Sequence, residues 1–290
     1  MESHKSTVLI LGAQGMLGQE LVRVFGENTR YDVLGWDREE IDLTDFTFSE
    51  RKIREVAPSH ILNAVAYNAV DACETSEEEY AQAQLLNTEI PRRLAHIASQ
   101  IDATFVHYST DYVFDGTNTA GYSEVAKPYP LSRYGMTKYR GEQAVLAAVG
   151  QSYVIRLSKL FGKPAVSTAG KQSFFEKMLL VAEGKTEVSA VDGERSCFTY
   201  APDLARATRE LLEDRSSPGI YHLANSGVAT WYEAAQELFR LVRPDVIVRP
   251  VSPDAFPRPA ERPEYSELLN IKRPLLRDYR EALQEFISER

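Results

Sequence analysis

The segment TVLILGAQGMLGQELVRVF, residues 7–25, constrains this chain more than any other. A short apolar run ends in glycine, and Gly12, Gly15 and Gly18 lead directly into apolar residues at helical spacing. The run predicts a buried strand, and Leu17, Leu21, Val22, Val24 and Phe25 predict the inward stripe of a helix. Passing from strand to helix this quickly assigns each glycine a task. Gly12 allows the tight turn, Gly15 lets a ligand approach the backbone, and Gly18 lets helix and sheet pack closely. The free amides of the first helical turn then favour an anion. In this position the spacing points to a dinucleotide, with its pyrophosphate on the helix N-terminus.

The alternation continues downstream. Strands are expected at 7–12, 32–37, 60–66, 103–110, 152–158 and 219–224. Helices are expected at 15–27, 46–58, 77–101 with a kink at Pro91, 134–149, 172–183, 201–214 and 230–242. Strands separated by helices of this length imply right-handed crossovers and a covered parallel sheet. The fold class is therefore α/β, a Rossmann-type doubly wound parallel sheet with a smaller, discontinuous C-terminal substrate lobe. Residues 1–160 form the dinucleotide-binding domain. Residues 161–290 form mainly the lobe, with about 186–215 returning to the first domain. The proline-rich stretch 249–269 reads as an irregular excursion.

Composition narrows the function. The chain has 290 residues and carries 42 acidic against 33 basic side chains, a net charge of −9. Nucleic acid, which needs a clustered basic face, is not an expected partner. Cys73 and Cys197 and the scattered histidines have no metal-ligand spacing, so no metal is assigned. The apolar run VLIL is too short for a signal sequence or a membrane span, and no other segment reaches 18 apolar residues. A cytoplasmic enzyme without a membrane partner is the expectation. No serine stands in a G-x-S-x-G elbow, which leaves hydrolase chemistry unsupported.

Several residues gather at the expected carboxyl edge of the sheet, where ligands of open α/β folds bind. Asp37 suits a ribose 2′-hydroxyl and Arg38 a 2′-phosphate, so NADH and NADPH both stay open. Asp42 and Leu43 could frame the adenine, and Asp42 is equally a helix cap. Ala64 and Ala66 are small enough to let a cofactor cross a strand end. Tyr134 and Lys138 share one face of a helix. A ketone reduction needs a hydride from the cofactor and a proton from a positioned acid. A nearby ammonium lowers a phenol's pKa, so Lys138 is expected to tune Tyr134 and to hold the cofactor ribose. Ser109 and Thr110 are the candidates for polarising the carbonyl.

The stretches GAQGMLG, DREEIDLTD, NAVAYNAVDACE, HYSTDYVFDG, YGMTKYRGEQA, GIYHLANSGVATWYEAA and RPAERPEYSELL together resemble the dTDP-4-dehydrorhamnose reductase family of the extended short-chain dehydrogenase/reductases. The resemblance implies NADPH- or NADH-dependent reduction of the 4-keto group of a nucleotide-linked 6-deoxy sugar, and leaves a homodimer open. It implies Thr110, Tyr134 and Lys138 as the catalytic set. Gly15, Met16, Leu17, Asp42, Leu43, Val65, Ala66 and Tyr67 would line the cofactor. Thr110, Asp111 and Arg262 would meet the substrate, Arg262 through its diphosphate. Two stretches depart from the family pattern. Lys159, in RLSKLFG, stands where a tryptophan is common, and GERSCFT (193–199) replaces a D-Q-x-G-x-P-T run. These departures keep two alternatives open: a reductase or epimerase of another nucleotide sugar, and a non-catalytic NADP-binding subunit like the methionine adenosyltransferase β subunit.

Overall fold

The structure, a computed structural model, describes residues 5–166 and 170–290. Strand β1 (Ser6–Leu11) leads through the glycine turn into helix α1 (Met16–Gly26) and then β2 (Tyr31–Trp36). Helix α2 (Phe46–Val56) and β3 (His60–Asn63) follow, then the short α3 (Val70–Thr75), α4 (Glu77–Gln84) and α5 (Ile90–Gln100). Strand β4 (Thr104–Thr110), helix α6 (Arg133–Ala147) and β5 (Ser152–Leu157) complete the first half.

These strands and Gly219–His222 form one six-stranded sheet, ordered Gly219–His222, β5, β4, β3, β1, β2. Every pairing in it is parallel. β1 sends its side chains alternately to the two faces. Val8 and Ile10 pack with Leu17, Leu21, Val24 and Phe25 of α1, and with helix α8 (Ala201–Glu213). Leu9 and Leu11 pack on the other face with Ile53 of α2 and Ile90 and Leu94 of α5. A strand buried on both sides needs its apolar residues in succession rather than alternation, which is what VLIL supplies.

The chain crosses from one side of the sheet to the other between β1 and β3, and the carboxyl ends of these strands form the cleft expected at such a reversal. The lobe lies beyond. Helices α7 (Phe174–Val181), α9 (Trp231–Val242) and α10 (Tyr279–Ser288) enclose a second core around Phe161, Phe175, Phe198 and Leu238.

Four differences from the sequence reading have local causes. β3 ends at Asn63 rather than 66, because its last ladder bond runs from Ala64 N–H to the Leu11 carbonyl. The expected single helix over 77–101 is interrupted by a π-turn, Leu85–Glu89, immediately before Pro91. Such a turn re-spaces the backbone next to a proline that cannot donate. The segments that rejoin the first domain are α8 and Gly219–His222, whereas Glu187–Val191 pairs with Ile247–Val251 in the lobe. That pairing also gives the proline-rich stretch a strand. Pro250 is tolerated because the sheet has only two strands and so only edges. The strand Leu276–Asp278 and helix α10 are additional to the expected elements, although α10 carries an Asp278 cap and Tyr279, Ala282, Leu283 and Phe286 at helical spacing.

Helix α6 is fastened to the sheet by a fully buried ion pair. Arg156 Nε donates to Glu142 Oε1 at 2.8 Å and Nη2 to Oε2 at 2.6 Å, with both side chains 1% exposed. Gly141 allows the same helix to lie against the π-turn, since a Cβ there would overlap the Asn87 carbonyl oxygen. Removing one partner of a buried pair strands the other charge at a cost of about 3–5 kcal/mol. Glu142→Ala should therefore lower stability by about that amount in urea unfolding. Glu142→Leu with Arg156→Met should recover most of the loss. A single variant as stable as the wild type would show that the pair does not hold α6.

Candidate active site

The glycine turn is shaped as its sequence suggests. Gly12 has φ +77°, and a Cβ on it would press on the Val65 nitrogen at 3.1 Å. The turns after β1 and β3 thus touch where the sheet reverses. A side chain at Gly18 would overlap the Gly12 carbonyl, which fixes how closely α1 sits on the turn. At Gly15 a Cβ would meet only the Gly12 oxygen, at 3.2 Å, and would otherwise fill open space over the turn. Met16 is half-buried there and Leu17 is in the core, so only the backbone of Leu17 can serve a ligand.

Asp37 spends its carboxylate on the protein. It accepts from Gln14 N–H and Arg38 N–H, each at 2.9 Å, and so ties the glycine turn to the end of β2. Gln14 Nε2 donates to Glu39 at 3.0 Å, while Arg38 is exposed. Asp42 does not cap α2. It accepts from the Thr44 N–H and hydroxyl, which hold its carboxyl below the usual range, and Asp45 is the cap. Leu43 is buried against the α5 face.

Beyond Ala64 the segment leaves the ladder of β3, and Asn87 supplies partners for the Tyr67 backbone. Its Oδ1 accepts from Tyr67 N–H at 2.9 Å, and its Nδ2 donates to the Tyr67 carbonyl at 3.0 Å and to Thr137 Oγ1 at 3.0 Å. The Tyr67 hydroxyl bonds Glu79. Asn87 escapes a reading of sequence because its target lies 20 residues upstream. Its position just before Pro91, in a π-turn, is the one local signal. Ala64, Val65, Ala66 and Tyr67 are each half-buried beside the glycine turn.

The chemistry-bearing side chains cluster on β4 and α6. Ser132 caps α6 through Gly135 N–H, so Tyr134 and Lys138 leave the first turns of a well-started helix. The Tyr134 hydroxyl donates to Asn68 Oδ1 at 3.3 Å. Burial, and then the charge of Asp111, push the phenol above its ordinary range, against an opposing bond from Thr110. Lys138 does not tune it as the sequence reading expected. Its Nζ donates to the Tyr108 carbonyl at 2.6 Å, and burial brings its pKa down to about 8, against the attraction of Glu142. The charge that bears on the phenol is thus acidic.

Ser109 Oγ is buried without a partner, an open polar position beside these groups. Such an orphan atom and the open space over Gly15 fit a bound cofactor. His107, next on the strand, is fully buried and held well below its usual pKa by burial, which suits packing rather than acid–base work.

Two expected substrate residues are engaged elsewhere. Asp111 is 2% exposed, and its carboxylate accepts from Thr110 at 3.1 Å, Ser158 at 3.0 Å and Ser266 at 2.6 Å. It joins three segments rather than facing the cleft. Arg262 forms a two-pronged pair with Asp71, at 3.0 and 2.7 Å, and its side chain is 11% exposed. That pair clamps the 260–268 segment to α3, so the guanidinium is not free for a diphosphate. Lys159 lies partly buried just after β5, with φ +40°. Its Nζ sits 4.0 Å from the Trp231 ring and 4.8 Å from Phe198, and donates to the Glu194 carbonyl at 3.1 Å. In GERSCFT, Glu194 accepts from Trp231 Nε1 at 2.9 Å and pairs with Arg258, and Arg195 pairs with Glu233 at 3.1 Å.

A cofactor cradle, a buried phenol and a lysine at one sheet edge have counterparts among known proteins. The model of the RmlD substrate binding domain matches residues 6–290. This chain belongs to that family. A probable dTDP-4,6-dihydroxy-2-methyloxan-3-one 4-ketoreductase of Streptomyces antibioticus is 39% identical over 284 residues, 96% of this chain and 93% of the relative. The dTDP-4-dehydrorhamnose reductase of Mycobacterium tuberculosis is 34% identical over 98% of this chain and 93% of its own length. Among solved structures, the Bacillus anthracis dTDP-4-dehydrorhamnose reductase in complex with NADP superimposes with a TM-score of 0.92. It is 30% identical and covers 99% of this chain and 100% of its own.

Asn87→Ala would leave the Tyr67 amide and carbonyl without partners. The expected loss is about 1–3 kcal/mol, with faster hydrogen exchange at Tyr67 than global unfolding explains. Unchanged exchange there would mean that the 64–67 segment holds itself.

Proposed function

We propose that this chain uses NADPH or NADH to reduce the 4-keto group of a nucleotide-linked 6-deoxy sugar. The observation that carries the reading is the buried Tyr134 phenol, beside Thr110 and bonded to Asn68, which directly follows residues 64–67 beside the glycine turn. Reduced nicotinamide supplies the hydride. The chain supplies the rest.

Tyr134 gives its proton to the carbonyl oxygen as carbon accepts the hydride. Its raised pKa keeps the phenol protonated at neutral pH, as a donor must be. Thr110 supports the same oxygen. Lys138, charged below about pH 8, would hold the ribose hydroxyls of the bound cofactor. Gly12, Gly15 and the amides of Met16 and Leu17 receive the pyrophosphate. Asp42 and Leu43 would lie on the adenosine side, residues 64–67 would line the cofactor where it crosses the end of β3, and the buried, unpartnered Ser109 hydroxyl would be available to it. The segment after residue 160 carries the sugar, with Lys159 at its floor.

Lys159 favours a second reading on substrate, in which another nucleotide sugar is used. Its ammonium lies within reach of Asp111 and Glu194, an arrangement that would reward a polar or anionic substituent. Purified protein offered dTDP-, UDP-, GDP- and CDP-linked 4-keto sugars with each cofactor separates the readings. Oxidation of cofactor by none of them would sink both.

Tyr134→Phe should reduce kcat by about 10²-fold or more, with cofactor affinity retained. A rate within a few-fold of wild type would remove Tyr134 as the donor.

The lysine makes activity and stability diverge with pH. A lysine whose folded pKa lies near 8, below its ordinary 10.5, binds fewer protons folded than unfolded in between. Stability therefore rises with pH across that window, and Lys159, also near 8, adds in the same direction. Buried tyrosines with raised pKa reverse the trend above about pH 10. Activity should instead fall as pH rises through about 8, when Lys138 loses its charge. A kcat that is flat to pH 10, beside a stability that climbs, would show that the Lys138 charge is not used.

A further inference from the structure

Asn68 plays no part in the sequence reading, yet its side chain is the hydrogen-bond partner of the Tyr134 hydroxyl, with Oδ1 at 3.3 Å. It stands directly after the cofactor-lining residues 64–67, whose end Asn87 grips from both sides of Tyr67. Its backbone is held independently. The Asn68 carbonyl accepts from Val70 N–H at 2.9 Å and from Lys171 Nζ at 2.5 Å. Lys171 belongs to the segment that leads into α7 of the lobe. Asn68 is thus fixed from the sheet side by Asn87 and from the lobe side by Lys171, and its exposed amide is turned to the phenol.

An amide oxygen can only accept from a phenol. It therefore fixes where the Tyr134 proton points and favours the protonated form. A ketone oxygen is the same kind of acceptor, so a substrate carbonyl can take over the place of Oδ1 without rearranging the donor. We propose that Asn68 is a positioning residue. It holds the Tyr134 O–H aimed along the path of transfer until the substrate carbonyl replaces it, and Lys171 sets its place relative to the lobe. The proposal rests on Tyr134 being the proton donor. In the step itself the Tyr134 O–H bond breaks and a new O–H bond forms on the former carbonyl oxygen, whose carbon takes the hydride of the reduced nicotinamide. The phenolate is then reprotonated from solvent.

The test compares Asn68→Ala, Asn68→Thr and Lys171→Ala with wild type in steady-state kinetics, alongside fluorescence titration of the cofactor. Tyrosine labelled with ¹³C at Cζ adds a readout that needs no substrate, the Tyr134 signal being assigned by its absence in Tyr134→Phe. Asn68→Ala should lower kcat/KM for the sugar about five- to tenfold through KM, because the donor is no longer aimed before substrate arrives, with kcat and cofactor affinity within about twofold. Its Tyr134 Cζ signal should move. Asn68→Thr, whose hydroxyl can accept, should restore most of kcat/KM, and Lys171→Ala should reproduce part of the loss. An unchanged kcat/KM and Cζ signal in Asn68→Ala would overturn the proposal. So would a cofactor affinity that falls by the same factor as kcat/KM, because Asn68 would then serve only the cofactor segment. If the wild type turns over no keto sugar, the functional reading fails by itself, and a Cζ signal that still moves in Asn68→Ala keeps the hydrogen bond to Tyr134 established.

Discussion

The pairing of Glu142 with Arg156 is the interaction on which the site depends. Glu142 lies four residues beyond Lys138 and eight beyond Tyr134, on the same side of α6. Arg156 lies on β5, so the pair sets the depth and rotation of the helix against the sheet. A change in that rotation would move the phenol and the ammonium together. Gly141 adds the complementary limit, because contact with the Asn87 carbonyl stops the helix from the other side. Two neighbouring residues thus define where Tyr134 can be.

Asn87 links that framework to the cofactor side. The same side chain bonds the Tyr67 backbone and Thr137 on α6. The segment over which a nicotinamide would pass and the helix carrying the acid are therefore positioned by one amide. The π-turn containing Asn87 makes this geometry available, since an uninterrupted helix into Pro91 would present residue 87 differently. An irregular turn beside a proline is here a means of placing the Tyr67 segment and α6 in a fixed relation.

Much of this was legible in sequence because it is local. Strand, turn and helix around Gly12, Gly15 and Gly18 follow from apolar spacing and from the space glycine leaves, and Tyr134 and Lys138 share a helical face by arithmetic. The errors arise where the deciding partner is remote. The expected strand at 60–66 runs past β3 because AVA continues its apolar run, while the segment beyond is held through Tyr67 by the remote Asn87. The four-residue spacing pairs Lys138 with the phenol, yet its ammonium donates instead to the carbonyl of Tyr108 on another element. Arg262 looked free because Asp71 lies 191 residues away. Spacing can propose a pair, but which acceptor a long cationic side chain reaches is settled by tertiary packing.

The contacts that hold the lobe are the ones closest to the substrate question. Asp111 gathers hydroxyls from β4, from the end of β5 and from the 260–268 segment, and Asp71 binds that same segment a second time. The lobe is thus joined to the first domain by the buried carboxylate of Asp111 and the partly exposed one of Asp71. Lys159 stands between these joints. Its positive φ is a strained backbone state for a lysine, tolerated because two carbonyls and two aromatic faces hold the side chain. A residue kept in such a state is fixed by its surroundings rather than adaptable. Replacing the lysine alone leaves the cage of Phe198, Trp231 and Glu194 without its cation, and replacing the cage alone leaves a buried charge without its partners. The lysine and its cage therefore act as one unit.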